Sequence, residues 1–295
     1  MACGTYVYSL TKEDRFMPSI TLVPIGGLCN RLRAIQSAIA LANDCHVSLR
    51  VVWLRDQGLG ARFTDLFQPH AFITDSTSWL RYGVARRRNG YLPAIWQRAL
   101  FDTCIDEADL SSVLDSDTSE AEKAQVIRQQ IKCKTFIQTG LGFYPCDDRL
   151  FKHQFIPSAS VRQLLDQRLS LITPHTVGIH IRRTDNTRAI HHSPLSAFEQ
   201  AMQADLERDP DTTFYVATDD PAVLLHLKSH FPSSIITHSL STTLAPTRST
   251  VAGMQDAVAE LFTLIACPRF HGSYWSSFSD TVVACHDKGK ANIIC

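Results

Sequence analysis

Apolar residues recur along the chain with two periods, one suited to strands and one to helices. Residues 19–25, Ser-Ile-Thr-Leu-Val-Pro-Ile, form a short apolar run that predicts a strand. After Gly26-Gly27, the residues Leu28, Leu32, Ile35, Ile39 and Ala42 fall at spacings of four, three, four and three, one face of a helix. Val47, Leu49, Val51 and Trp53 alternate and predict a strand over 47–54. Strand, helix and strand in this order imply a parallel pair. Residues 55–75, with Pro69, read as loop with a helical turn, and Arg86-Arg87-Arg88-Asn89-Gly90 as a basic turn. Asp115 to Glu122 reads as an acidic, Ser/Thr-rich loop leading into a helix near 119–131. Lys134–Thr139 reads as a strand ended by Gly140 and Gly142.

A helix near 158–170 and the Thr173-Pro174 step mark a junction, giving expected domains over 1–172 and 173–295. Val177, Ile179 and Ile181 then alternate with Gly178, His180 and Arg182. This is a strand with one apolar face and a second face free to present His180 and Arg182 to a ligand. Ser193-Pro194 reads as a cap followed by proline at the first helical position. Leu195, Phe198, Met202 and Leu206 line the helix that follows. Thr213–Ala217 is a strand ending at Thr218-Asp219-Asp220, and Pro221 starts a helix with Leu224 and Leu227 inward. Ser234–Thr237 reads as a strand and 240–250 as a mobile loop. Met254, Ala257, Leu261 and Ile265 mark a helix, and the Gly- and Ser-rich stretch 270–279 leads into a last one at about 279–285. No internal repeat is present. In both halves the polar and glycine-rich turns follow strands, the edge at which open parallel sheets bind ligands.

Composition narrows the picture. The chain has 295 residues, room for about two domains. With 44% hydrophobic and 20% charged residues it reads as soluble and globular. Lys+Arg and Asp+Glu both total 29, so the formal net charge is zero, which argues against a general nucleic-acid partner but permits one local anion site. No apolar run of about 18 residues predicts a membrane span. The first residues lack the features of a secretory signal. The expectation is a cytoplasmic chain, or a soluble piece trimmed of an anchor. The 9 cysteines are odd in number and widely spaced, with no C-x-x-C, as expected for free thiols in a reducing compartment. Cys267, His271, Cys285 and His286 could be combined into a zinc site, but their spacing matches no usual finger.

Two stretches carry candidate chemistry. Arg182 and Arg183 at a strand's C-terminal end are costly to bury unpaired. They are suited to gripping a phosphate or diphosphate through charge-assisted hydrogen bonds. The competing reading is a surface arginine pair bridged to Asp185. Gly26-Gly27 between strand and helix offers bare backbone N–H groups, a common way to seat an anion at a helix N-terminus. It is neither a dinucleotide fingerprint nor a Walker P-loop. The competing reading is an ordinary turn with Asn30 as N-terminal cap.

Taken together, these stretches resemble one family. Gly26-Gly27-Leu28-Cys29-Asn30-Arg31-Leu32 resembles the N-domain motif of GDP-fucose-using fucosyltransferases. Val177 to Asp185 resembles the H-x-R-R-T-D block of the core α1,6-fucosyltransferase, of which the nodulation and protein O-fucosyltransferases have looser versions. Phe214 to Pro221 resembles the second block. Ser276-Ser277-Phe278-Ser279, with Asp256 upstream, resembles the third. The motifs occur in order over residues 26–285, while the N-terminal half beyond residue 50 matches nothing nameable. The resemblance implies an α/β fold of GT-B type, two Rossmann-like domains facing across a cleft. Residues 1–172 would be the acceptor-side domain and 173–295 the nucleotide-sugar-binding domain. It implies inverting, metal-independent transfer of L-fucose from GDP-β-L-fucose to a glycan hydroxyl, with the nucleotide sugar as donor substrate and no cofactor. His180 and Asp256 would contact guanine or ribose. Arg182 would hold the β-phosphate, and Arg183 would brace it or contact the sugar. Asn30, with Gly26 and Gly27, would approach the pyrophosphate or sugar. Ser276, Ser277 and Phe278 would line the diphosphate site, and Asp219 would fix its strand end.

The resemblance also has departures. Cys29 replaces the third glycine of the N-domain motif. The glutamate that the core enzymes carry after T-D is missing, leaving Asp185, His191 and His192 as candidate bases; a histidine's pKa suits that work. The alternatives are a non-catalytic nucleotide- or glycan-binding descendant, or a transferase using another nucleotide sugar. A Rossmann-type dehydrogenase or kinase would need glycine fingerprints that are lacking. The acceptor, the linkage and the oligomeric state are not legible in the sequence.

Overall fold

The computed structural model describes residues 18–56, 58–76, 99–184, 187–236 and 248–295. The basic turn 86–90, the catalytic candidate Asp185 and most of the stretch 240–250 lie outside them. The chain divides into two compact units, Met1–Ile156 and Pro157–Cys295.

The first unit holds strands β1 (Ser19–Pro24), β2 (Ser48–Leu54), β3 (Ile73–Ser76), β4 (Thr103–Ile105) and β5 (Lys134–Thr139). They form one parallel sheet in the order β3-β2-β1-β5-β4. Among the described residues its helices are α1 (Leu28–Cys45), α2 (Phe63–Leu66), α3 (Glu107–Leu114), α4 (Glu120–Gln129) and α5 (Phe151–Gln154). Both faces of β1 are covered, so Ile20, Leu22 and Val23 are all buried, as parallel sheets require. The apolar face of α1 is the one its spacing predicts, with Leu28, Leu32, Ile35, Ile39 and Ala42 buried. The short strands β3 and β4 and helix α3 are additions to the sequence reading. Three- and four-residue strands give too few periods to register, and α3 starts on the Asp106 cap, inside an acidic run.

The second unit begins earlier than the 172/173 junction, because α6 (Ala159–Leu169) packs on α10 (Val251–Ala266) of the same unit. Its strands are β6 (Thr176–Ile181), β7 (Thr213–Thr218), β8 (Ile235–Ile236), β9 (Arg269–Ser273) and β10 (Ala291–Ile294). They are parallel in the order β10-β9-β6-β7-β8. The remaining helices are α7 (Thr187–His192), α8 (Leu195–Arg208), α9 (Pro221–His230) and α11 (Ser277–Ala284). On one side the core is Val177, Ile179 and Ile181 of β6 with Phe198 and Met202 of α8 and Val223 and Leu227 of α9.

Two expectations are corrected here. All six residues of β6 are buried, so the strand has no free face: Gly178 lies against Leu264 and Cys267. The Ser193 hydroxyl does not cap α8. It donates to the Ile294 carbonyl and accepts the Tyr274 N–H, tying together segments far apart in sequence. β9 escaped the sequence reading because Arg-Phe-His-Gly-Ser carries polar residues and glycine at positions that the fold buries or half-buries.

Candidate functional site

The central strands β6, β7 and β9 of the second unit end at Ile181, Thr218 and Ser273, and the candidate residues leave from these ends. Ser273, fully buried, locks two of them together. Its Oγ donates to the His180 carbonyl (3.2 Å) and accepts the Arg182 N–H (3.0 Å). Asp219, just past β7, holds the turn after β6. It accepts the Arg183 N–H (2.7 Å) and the Thr184 hydroxyl (2.7 Å), and it pairs with the Arg182 guanidinium at 3.0 Å. Burial alone would raise its pKa. The Thr184 hydroxyl, the Arg183 N–H and the Arg182 charge outweigh that and hold the carboxylate below its usual range. One carboxylate thus sets the path of three consecutive residues.

His180 is buried with its ring stacked on Phe278, centroids 4.7 Å apart, and its Nδ1 is hydrogen-bonded to Ser279 Oγ (2.8 Å). Burial, and then the nearby Arg182 charge, push its pKa down to about 4, so the imidazole is neutral at pH 7. Ser279 belongs to α11, whose N-cap is the buried Ser276. The Ser276 side chain makes no capping hydrogen bond there. Gly272 leaves room for this contact, since a Cβ there would stand 2.7 Å from Ser279 Cβ. Trp275, in the left-handed region at φ 56°, turns the chain from β9 into α11 and carries the Arg188 guanidinium 4.6 Å from its ring centroid.

Arg183 faces its own loop. Its guanidinium donates to the carbonyls of Ile190 (3.3 Å) and Ser193 (2.8 Å), bracing the segment that bears His191 and His192. Those two rings are 5.0 Å apart, and His192 lies 5.0 Å from Tyr274. Asp256 stands in another network. Its carboxylate and its carbonyl both accept from the buried guanidinium of Arg168, with the carbonyl bond at 3.1 Å.

The glycine turn of the first unit is a built structure. Gly26 has φ 82°, a conformation that favours glycine, and a Cβ there would meet Asn30 Nδ2 at 2.9 Å. The carbonyl of Gly26 accepts from Arg31 Nε (2.8 Å). The buried Arg31 guanidinium also reaches the Leu54 carbonyl and pairs with Asp56 at 2.6 Å. Gly27 is the N-cap of α1, with open space where a Cβ would be. Asn30 is therefore not a cap: it lies inside α1, and its Oδ1 accepts from Arg33 Nη2 (2.8 Å). Cys29 occupies a helical, buried position, so the backbone there makes no demand for glycine.

The zinc combination at Cys267, His271, Cys285 and His286 is not assembled. His286 hydrogen-bonds the carbonyls of Val282 and Cys267, and His271 bonds Asp205. The residues that sequence reasoning missed are Ser273, Arg33 and Arg168. Ser273 looked like loop, and the arginines act through partners 107 and 88 residues away, Gly140 and Asp256, beyond any local pattern.

No protein-family model matches the sequence. No curated protein matches it either. Solved structures do. NodZ α-1,6-fucosyltransferase soaked with GDP-fucose superposes with a TM-score of 0.58 at 14% identity, covering 91% of this chain and 92% of that one. POFUT1 in its apo form gives 0.56 at 11% identity, with coverages of 94% and 97%. A mutant of Arabidopsis thaliana FUT1 in complex with GDP gives 0.57 at 13%, with coverages of 96% and 71%. With two parallel-sheet α/β units and these matches over nearly its whole length, the chain has the GT-B type fold of these fucosyltransferases.

Proposed function

We propose that this chain is a glycosyltransferase that moves L-fucose from GDP-β-L-fucose to a glycan hydroxyl, with inversion and without a metal. The observation that carries the reading is the Arg182–Asp219–Ser273 arrangement at the C-terminal strand ends, in a fold otherwise solved with GDP and GDP-fucose bound. As the bond from sugar to diphosphate breaks, negative charge builds on the β-phosphate and must be met by fixed donors. Arg182 offers a permanently charged, planar set of donors suited to bidentate contact, and Asp219 holds it in place beforehand. The α11 N-terminus adds backbone N–H groups at Ser277 and Phe278, with Ser276 at the cap. In this reading Pro157–Cys295 binds the nucleotide, and Met1–Ile156 supplies the acceptor side, with Gly26, Gly27 and Asn30 toward the pyrophosphate or sugar. His180 is a neutral ring that supports Phe278 and Ser279, and Arg183 braces the loop. Asp185, His191 and His192 are the candidate bases.

The test is GDP release from GDP-fucose by the purified chain, with and without glycan acceptors. Acceptor-dependent release is expected. Saturable GDP binding with no release for any acceptor would instead identify a binding module. A melting temperature raised by UDP as much as by GDP would overturn the donor assignment.

A further inference from the structure

A second cluster, sharing no residue with the proposed transfer site, lies on α8 and α9. His226 and His230 are four residues apart on α9 and therefore share a face, with ring centroids 4.2 Å apart. Glu199 of α8 reaches across, its Oε1 2.5 Å from His226 Nε2. One ligand atom from each of the three lies within 4.8 Å of the others. The geometry points to a divalent transition-metal site, of zinc class, that cross-links α8 to α9.

Chemically, the donor set suits that class. Two imidazole nitrogens and a carboxylate oxygen are ordinary zinc ligands, whereas calcium and magnesium prefer all-oxygen shells. Ligand distances of about 2.0–2.1 Å place neighbouring ligand atoms roughly 3.3 Å apart. The His226–Glu199 pair is already closer than that. That pair opens slightly to take the ion between its atoms, and the exposed His230 ring, which rests on the His226 ring and has Ser229 Oγ 3.4 Å from its Nδ1, turns inward. His230 Nδ1 lies 3.2 Å from the His226 carbonyl oxygen. A proton held on Nδ1 by that carbonyl leaves the Nε2 lone pair for the metal, the arrangement typical of metal-binding histidines. Remaining coordination positions face solvent and take water.

Both helices pack on β6 and β7, α8 through Phe198 and Met202 and α9 through Val223 and Leu227. A metal bound only in the folded state therefore stabilises the second unit by mass action. Its role is a structural cross-link outside the transfer chemistry. The competing account is a simple His226–Glu199 ion pair, in which the shared proton occupies the place of the metal.

The experiment is a zinc titration of the full chain, stripped with chelator, by calorimetry at pH 7.5, with thermal melts alongside. One equivalent is expected to bind and raise the melting temperature. His230→Ala is expected to weaken binding by more than about tenfold, because even supporting contacts of a metal site contribute on that scale. The exposed position should leave the metal-free melting temperature unchanged. Glu199→Gln should weaken binding as well, and competition at pH 5.5 should weaken it again, since the imidazoles must be neutral to ligate. Cobalt substitution identifies the donors: nitrogen and oxygen ligands give only visible d–d bands, whereas thiolates of the free cysteines add a sulfur-to-cobalt charge-transfer band. A thiolate band, binding unaffected by His230→Ala, or no binding would each overturn the proposal.

Discussion

The carboxylate of Asp219, just beyond β7, stands 3.0 Å from the guanidinium of Arg182, just beyond β6. The same carboxylate fixes the backbone of Arg183 and the hydroxyl of Thr184. A long, flexible cation is thereby held before any ligand arrives, which lowers the ordering cost of meeting a phosphate. Asp219→Ala is expected to cut transfer by about a hundredfold through lost orientation. The measurement is kcat per folded molecule beside the melting temperature. A lower melting temperature with kcat unchanged would make Asp219 purely structural.

Arg182→Ala removes the cation itself. The loss of a donor aimed at developing charge costs on the order of 10²–10³ in rate. GDP binding should weaken more than GMP binding if the proposed contact to the β-phosphate is the one removed. Equal weakening of the two nucleotides, measured by calorimetry, would sink the assignment.

His180 links pH to stability. Its pKa falls to about 4 in the fold, from 6.5 in the unfolded chain, chiefly through burial. A histidine held neutral contributes stability that is complete above its unfolded pKa and is lost as pH falls from about 6.5 to about 4. The full effect is on the order of 3 kcal/mol. His180→Gln, which cannot charge, should flatten the decline of melting temperature between pH 6.5 and 4. An unchanged acid limb would show that other groups set it.

Much of this was legible in the sequence, and the failures have a common cause. The faces of α1 and α8 followed from spacing because each helix buries a continuous stripe. Much of the order of strands and helices followed from local period, and the strand-end location of Arg182 and Asp219 followed from that order; Ser276 follows β9, a strand the period did not show. What spacing could not show was pairing. Gly178-Ile179-His180 reads as alternation with one wet face, yet helices cover both sides and leave His180 in a dry stack with Phe278. Arg183 reads as a second phosphate ligand, yet its donors go to loop carbonyls seven and ten residues ahead. Hydrogen bonds across the fold decide which charged side chains have donors committed elsewhere, and the local sequence does not encode them.

Gly272 tests the packing beneath the site. An added Cβ would stand 2.7 Å from a Phe270 ring carbon and from Ser279 Cβ, closer than real contacts allow. Gly272→Ala should destabilise the fold by about 1–3 kcal/mol through overpacking. Because Ser279 is displaced, nucleotide binding should weaken too. Chemical denaturation and GDP titration on the same preparation check both effects. A neutral result in each would mean that β9 and α11 shift apart freely.

Arg168 and Asp256 offer the sharpest division between fold and function. The resemblance would have Asp256 read the nucleoside, but its carboxylate is held by Arg168, which is 1% exposed and anchors α6 to α10. Nearby, Glu260 has its pKa raised to about 7 by burial, with Arg168 pulling it down and Asp256 pushing it up. Arg168→Met would leave these carboxylates without their cation, and breaking a buried pair this way costs about 3–5 kcal/mol. The sign of the pH dependence follows. At pH 5 Glu260 is protonated with or without Arg168; at pH 8 it is ionised in the parent beside Arg168, whereas the variant must either ionise it without that cation or keep it protonated. The penalty of Arg168→Met should therefore grow from pH 5 to pH 8, measured by urea denaturation against the parent chain. Asp256→Asn, which keeps the shape, should lower the melting temperature while the ratio of GDP to UDP affinity stays constant. A collapse of that ratio with stability intact would return Asp256 to the nucleoside.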